Sequence, residues 1–132
     1  MIDRARQAMA RAHAPYSRFQ VGACVRAASG ALYSGCNVEN ASYPEGWCAE
    51  TSALAAMVGA GDRELVEVVV MAPGESPCSP CGGCRQRLRE LGSAATRVHL
   101  CNPQGLLLTV SLGELLPHAF AGDLLPGSSG RP

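Results

Sequence analysis

The sequence predicts an α/β fold, a three-layer α/β/α sandwich on a mixed five-stranded sheet. Three observations lead there. Leu65 to Ala72 (LVEVVVMA) is β-branched and almost wholly apolar, the pattern of a central strand covered on both faces. The segments follow the order helix, hairpin, helix, strand, helix, strand, strand, and short connections of that kind place helices on both faces of a sheet. A chain of 132 residues that is 47% hydrophobic is long enough for one packed core and too short for two ordinary domains. Residues 1–126 are therefore expected to form a single domain, and 127–132, rich in Gly and Ser, a disordered tail by composition.

Taken in order, Ile2, Ala5, Met9 and Ala12 recur at the spacing of one helix face, which predicts a helix from Ile2 to His13, ended by Ala14-Pro15-Tyr16-Ser17. Phe19 to Ala27 alternates in part, with Val21, Ala23 and Val25 inward. The chain turns at Ser29-Gly30 and returns through Ala31 to Cys36, a β-hairpin at one edge of the sheet. Asn37 to Trp47 has no periodicity and reads as a loop delivering the chain to an Ala-rich helix from near Cys48 to about Gly59. After the central strand, Pro73 to Pro80 is a second loop and Cys81 to Leu91 an Arg-rich helix. Arg97 to Cys101 and Leu106 to Val110 are strands about the turn Asn102 to Gly105, and Leu112 to Leu116 suits a short helical turn.

Eleven basic residues, all Arg, balance eleven acidic ones. This neutral chain lacks the positive field that a binder of long nucleic acid needs. No apolar run reaches the roughly 18 residues of a membrane span, and the amphipathic start MIDRARQAMARAH is unlike a signal peptide, so a cytoplasmic protein with no membrane partner is expected. The seven cysteines (24, 36, 48, 78, 81, 84 and 101) are odd in number, which argues for reduced thiols and metal ligands over a disulfide framework.

The chemistry concentrates in Cys48-Ala49-Glu50 and Pro80-Cys81-Gly82-Gly83-Cys84, both at predicted helix starts. Cys81 and Cys84 share a helix face and can bind one ion, with Cys48 closing the triangle from the other helix. Three protein ligands leave a fourth tetrahedral position for water, the arrangement of a catalytic zinc, one per chain. Glu50 is placed to exchange protons with that water. The competing reading is a structural zinc closed by Cys78, or an iron-sulfur set begun by Cys78-x-x-Cys81-x-x-Cys84. The latter lacks its next cysteine, Leu88 standing there. Three thiolates outweigh the two charges of zinc, and helix N-termini, with Arg85 beside Cys84, are expected to offset the excess.

These blocks, together with Tyr16-Ser17-Arg18-Phe19-Gln20-Val21-Gly22-Ala23, Gly35-Cys36-Asn37-Val38-Glu39-Asn40-Ala41 and Leu115-Leu116-Pro117-His118-Ala119-Phe120, resemble the small homotetrameric zinc-dependent cytidine deaminases from about Pro15 to Leu125. The resemblance implies the cytidine deaminase-like fold and hydrolysis of free cytidine and deoxycytidine to uridine and deoxyuridine, with Glu50 as proton shuttle. It also implies that Phe19 packs against the pyrimidine, that Asn37 and Glu39 bind the ribose hydroxyl region, and that Ala49 contacts the base through its backbone. A homotetramer with shared sites follows from the same likeness, Tyr43 and Phe120 reaching a neighbour's pocket. One departure stands out. Many such proteins carry Arg directly after the catalytic Glu, donating to a ligand sulfur, and this chain has Thr51.

Overall fold

The central apolar strand organises a five-stranded sheet of order β2-β1-β3-β4-β5 in the computed structural model, which describes residues 1–128. The elements are α1 (Ile2–Ala10), β1 (Gly22–Ala27), β2 (Leu32–Cys36), α2 (Ala49–Gly59), β3 (Leu65–Met71), α3 (Gly82–Leu91), β4 (Arg97–Asn102), β5 (Gly105–Ser111) and α4 (Leu112–Leu115). β1 pairs antiparallel with β2 and β3, β3 parallel with β4, and β4 antiparallel with β5, so the sheet is mixed as expected. The tail expected at 127–132 falls mostly on 129–132, which lie outside the described residues.

Strand alternation separates two cores. Ala23, Val25, Val68, Val70, Val98 and Leu100 face α2 and α3, meeting Ala53, Leu54, Met57 and Leu88. Their neighbours Cys24, Val69, Met71 and Cys101 face the other way and pack with Ala5 of α1. The result is the three-layer sandwich. Cys24 and Cys101 are buried as small hydrophobes, while Cys36 is half-buried.

Two boundaries differ from the sequence reading for one reason. α1 stops at Ala10 instead of His13, because His13 leaves the helix to bridge Val38, donating its N–H to Asn37 O and accepting from Glu39 N–H. β1 starts at Gly22 instead of Phe19, because Arg18 takes a left-handed φ of 57° and the Asn37 side chain holds the backbone of Phe19 and Val21. Long-range contacts override local periodicity at both places, and Val21 is only partly buried.

The fold positions the site by direction. β2, β3 and β4 run the same way, and α2 and α3 both begin where β2 and β3 end. In open α/β sheets, the crevice beyond the carboxyl ends of the strands is where ligands bind. α2 is seated there by contact: a Cβ on Gly35 would lie 2.5 Å from Ala53 N, so only glycine lets helix backbone meet strand backbone at that point. Ser52 Oγ adds a hydrogen bond to Cys36 O at 2.9 Å. At its far end α2 stops in a Schellman motif, with Gly61 at φ 102° and Asp62 N–H returning to Met57 O at 3.2 Å.

Candidate active site

Cys48 and Cys81 are the N-caps of α2 and α3, both in extended conformation, and Cys84 lies in the first turn of α3. The three Sγ atoms lie within 4.8 Å of one another, with Cys48 and Cys81 Sγ 3.9 Å apart. A tetrahedral zinc at about 2.3 Å from each sulfur would hold its ligands about 3.8 Å apart, which the Cys48–Cys81 pair matches and the trio's spacing allows for a single ion. Its all-thiolate donor set also suits zinc over harder ions. Cys78, half-buried, is outside this cluster among the described residues, which removes the fourth ligand that a closed structural site needs.

Glu50, in the first turn of α2, is 5% exposed and its Oε2 is 3.6 Å from Cys84 Sγ. Burial pushes its carboxyl above the ordinary carboxylate range, against the pull of its own backbone N–H and of Cys84. A carboxylate so placed favours holding a proton and can release it beside the metal position. The thiols divide unequally: Cys84 is pushed up by its hydrogen bond to Cys48, then by burial and the Glu50 charge, and the same bond lowers Cys48.

Both helices begin at the thiols, as the expected charge correction requires, but the side-chain bonds around the sulfurs run differently. Neither N-cap sulfur accepts a first-turn N–H, since Cys48 and Cys81 make no side-chain capping bond. Arg85 turns away from the sulfurs: Nε donates to Pro80 O at 2.7 Å, Nη1 to Leu115 O at 2.8 Å and Nη2 to Ser79 Oγ at 3.2 Å. It straps α3 to the segment after α4. Thr51 Oγ1, by contrast, lies 3.4 Å from Cys84 Sγ and accepts from Arg87 Nη1 at 3.2 Å. Sequence reasoning missed Arg87; its position three residues after Cys84, on the ligand face of α3, was the available signal.

Next to Cys48 opens a cavity of about 580 Å³, lined by Tyr16, Ser17, Asn37, Glu39, Tyr43 and Trp47 among others. Asn37 and Glu39 thus line one cavity, and Tyr43, expected to reach a neighbour's pocket, lines this cavity of its own chain. Asn37 Oδ1 accepts from Val21 N–H and Nδ2 donates to Phe19 O, each at 2.8 Å, so Asn37 fixes the Phe19 loop and keeps one lone pair and one amide proton beyond these two bonds. Glu39 Oε1 accepts from the N–H groups of Tyr16 at 2.9 Å and Ser17 at 3.1 Å. Tyr16 and Tyr43 pack edge to face with centroids 5.8 Å apart, a pairing no sequence pattern announced. Ala49 is buried at the start of α2. Phe19 and Phe120 do not line this cavity. Phe120 is held by its backbone, Gln86 Nε2 donating to its carbonyl at 2.9 Å, and the residue is 57% exposed. A larger cavity of about 740 Å³ lies at the other end of the sheet, around Leu65, Glu90 and Thr96, away from the thiols.

The family profile described as the cytidine and deoxycytidylate deaminase zinc-binding region matches residues 1–100. A cytidine deaminase from Halalkalibacterium halodurans is 44% identical over 123 residues, covering 93% of this chain and 93% of the relative. One from Mycobacterium tuberculosis is 41% identical over 92% of this chain and 88% of its own. Among solved structures, the cytidine deaminase from Burkholderia pseudomallei superposes with a TM-score of 0.85 at 44% identity, covering 90% of this chain and 95% of that one.

Proposed function

The chain belongs to the cytidine and deoxycytidylate deaminase family, zinc-dependent enzymes, and from that premise we propose that it hydrolyses free cytidine and deoxycytidine to uridine and deoxyuridine. The observation that carries this is the buried Glu50 carboxylate beside three clustered thiols at the carboxyl ends of the strands. Cys48, Cys81 and Cys84 hold the zinc, which when bound supplies a Lewis acid that readies a water for attack. Glu50 removes a proton from the attacking water and delivers it to ring N3, so that C4 becomes electrophilic. The new C4–O bond forms, Glu50 carries the hydroxyl proton to the amino nitrogen, the C4–N bond breaks, and ammonia leaves. Phe19, tethered by Asn37 though it does not line the cavity of the single chain, is assigned to the pyrimidine, the Ala49 backbone addresses the base, and Asn37 and Glu39 take the ribose hydroxyls with the lone pairs, and for Asn37 the amide proton, that their backbone bonds leave uncommitted.

The active unit in this reading is a homotetramer. Tyr43, Phe120, Leu106, Leu108, Leu124 and Leu125 are exposed, an apolar surface that supports burial against further copies. Tyr43 and Phe120 then complete a neighbour's pocket. No described helix is long and apolar enough to cross a membrane, which is consistent with a cytoplasmic place in pyrimidine salvage. Incubation of the purified, zinc-replete protein with cytidine or deoxycytidine should give the ultraviolet change to the uracil product with one ammonia released per turnover. A protein holding one zinc per chain that converts neither nucleoside would overturn the assignment.

A further inference from the structure

A three-thiolate site has a charge problem that its sulfurs do not solve. With zinc bound, three thiolates leave a net negative charge, and electron-rich sulfurs weaken the metal as a Lewis acid. We propose that Arg87 and Thr51 act together as a positioning relay that draws electron density from Cys84. The claim rests on the zinc-enzyme reading above and concerns residues outside the ligand set.

With Cys84 bound to zinc as a thiolate, the hydrogen-bond directions are forced. A guanidinium only donates, so Thr51 Oγ1 accepts from Arg87 Nη1 at 3.2 Å. The Thr51 hydroxyl proton is then left for Cys84 Sγ, 3.4 Å away and buried. The chain guanidinium, hydroxyl, sulfur thus aims a full positive charge at one ligand through a single polarised hydroxyl. The other basic side chain near the ligands, Arg85, is committed to Pro80, Leu115 and Ser79. The relay also has a prepared path. A Cβ on Gly83 would sit 3.4 Å from Arg87 Nη1 and 3.9 Å from its Cζ, so the guanidinium folds back over the bare backbone between the two ligand cysteines. Thr51 is 6% exposed, so its hydroxyl needs partners, whereas Arg87 lies on the surface and is not needed for the core.

The test uses the zinc-loaded protein with Arg87→Gln, Arg87→Lys, Thr51→Val and the Thr51→Val/Arg87→Gln double variant. Two quantities are read: zinc retention at neutral pH against a competing chelator, and kcat and KM with cytidine. Arg87→Gln and Thr51→Val should each lose about tenfold or more in zinc retention and in kcat, at unchanged KM. Arg87→Lys, which keeps the charge, should recover part of both. The double variant should be no worse than the weaker single one, because both changes break the same chain. Unchanged thermal unfolding of the chelated variants separates this from a folding defect. Wild-type zinc retention and kcat in Arg87→Gln, or additive losses in the double variant, would overturn the relay. A wild type that binds zinc without deaminating cytidine would instead remove the functional reading and leave the zinc-retention arm informative.

Discussion

The two ends of the pocket are built to opposite standards. At the thiol end, Glu50 is 5% and Cys84 0% exposed, Cys48 is half-buried and Cys81 exposed, and all four are placed by the starts of helices fixed on the sheet. At the nucleoside end, Tyr43 is 75% exposed, and the wall is loop, held by side chains bonded to backbone. The difference follows from what each end must do. Proton transfer tolerates little displacement, so its groups sit on rigid elements with defined N-caps. Recognition of a small ligand needs a surface that closes, and here Tyr16 and Tyr43 stand open on the wall.

The largest break in this contrast is at Glu50. Glu50→Gln keeps the size of the side chain and removes its proton chemistry, so kcat should fall by about 10²- to 10⁴-fold. Zinc content and KM for cytidine should stay near wild type, as measured by metal analysis and steady-state kinetics. A comparable rise in KM would mean that the two ends are not separable in the way their exposures suggest.

A smaller effect is expected from the support beneath the thiol end. In Gly35→Ala the new methyl meets Ala53 N at 2.5 Å and Ser52 Cβ at 2.6 Å, contacts that α2 relieves only by rising from β2. The cost should be about 1–3 kcal/mol of stability, read by denaturant unfolding. Because Cys48 caps the helix that moves, zinc retention should fall with it. A glycine serving only the strand would lower stability and leave zinc retention untouched.

The thiol end was also the more legible in sequence. Cys48-Ala49-Glu50 and Pro80-Cys81-Gly82-Gly83-Cys84 sit at helix starts that Ala-rich and Arg-rich periodicity already marked; the Cys81–Cys84 pair follows from short-range spacing, and Cys48 joins it from the start of the other helix. The almost wholly apolar β3 and the hairpin β1–β2 set the layers from local pattern in the same way. What stayed hidden depends on contacts far apart in the chain. The bridge between His13 and Val38 shortens α1, and the Asn37 clamp delays β1. Arg87 reaches Thr51 across two helices, whereas Arg85, adjacent to a ligand in sequence, points elsewhere. Adjacency in sequence was the wrong guide there, because neighbours on a helix point about 100° apart while residues three or four apart share a face.

The finest test of the contrast uses acid on the nucleoside end. Glu39 is held below its ordinary value of 4.5, chiefly by its hydrogen bond to the Ser17 side chain and also by the N–H groups of Ser17 and Tyr16, with burial opposing. A carboxylate with a depressed folded-state pKa contributes stability that is full above its unfolded value and is lost as pH falls through the folded one. The Tm difference between wild type and Glu39→Gln should therefore be greatest at neutral pH and close as the medium passes below that value. At neutral pH the Gln variant should show a raised KM for cytidine with kcat little changed, since Glu39 holds the Tyr16–Ser17 wall and touches no reacting atom. A loss confined to kcat would place Glu39 with the chemistry instead and erase the division between the two ends.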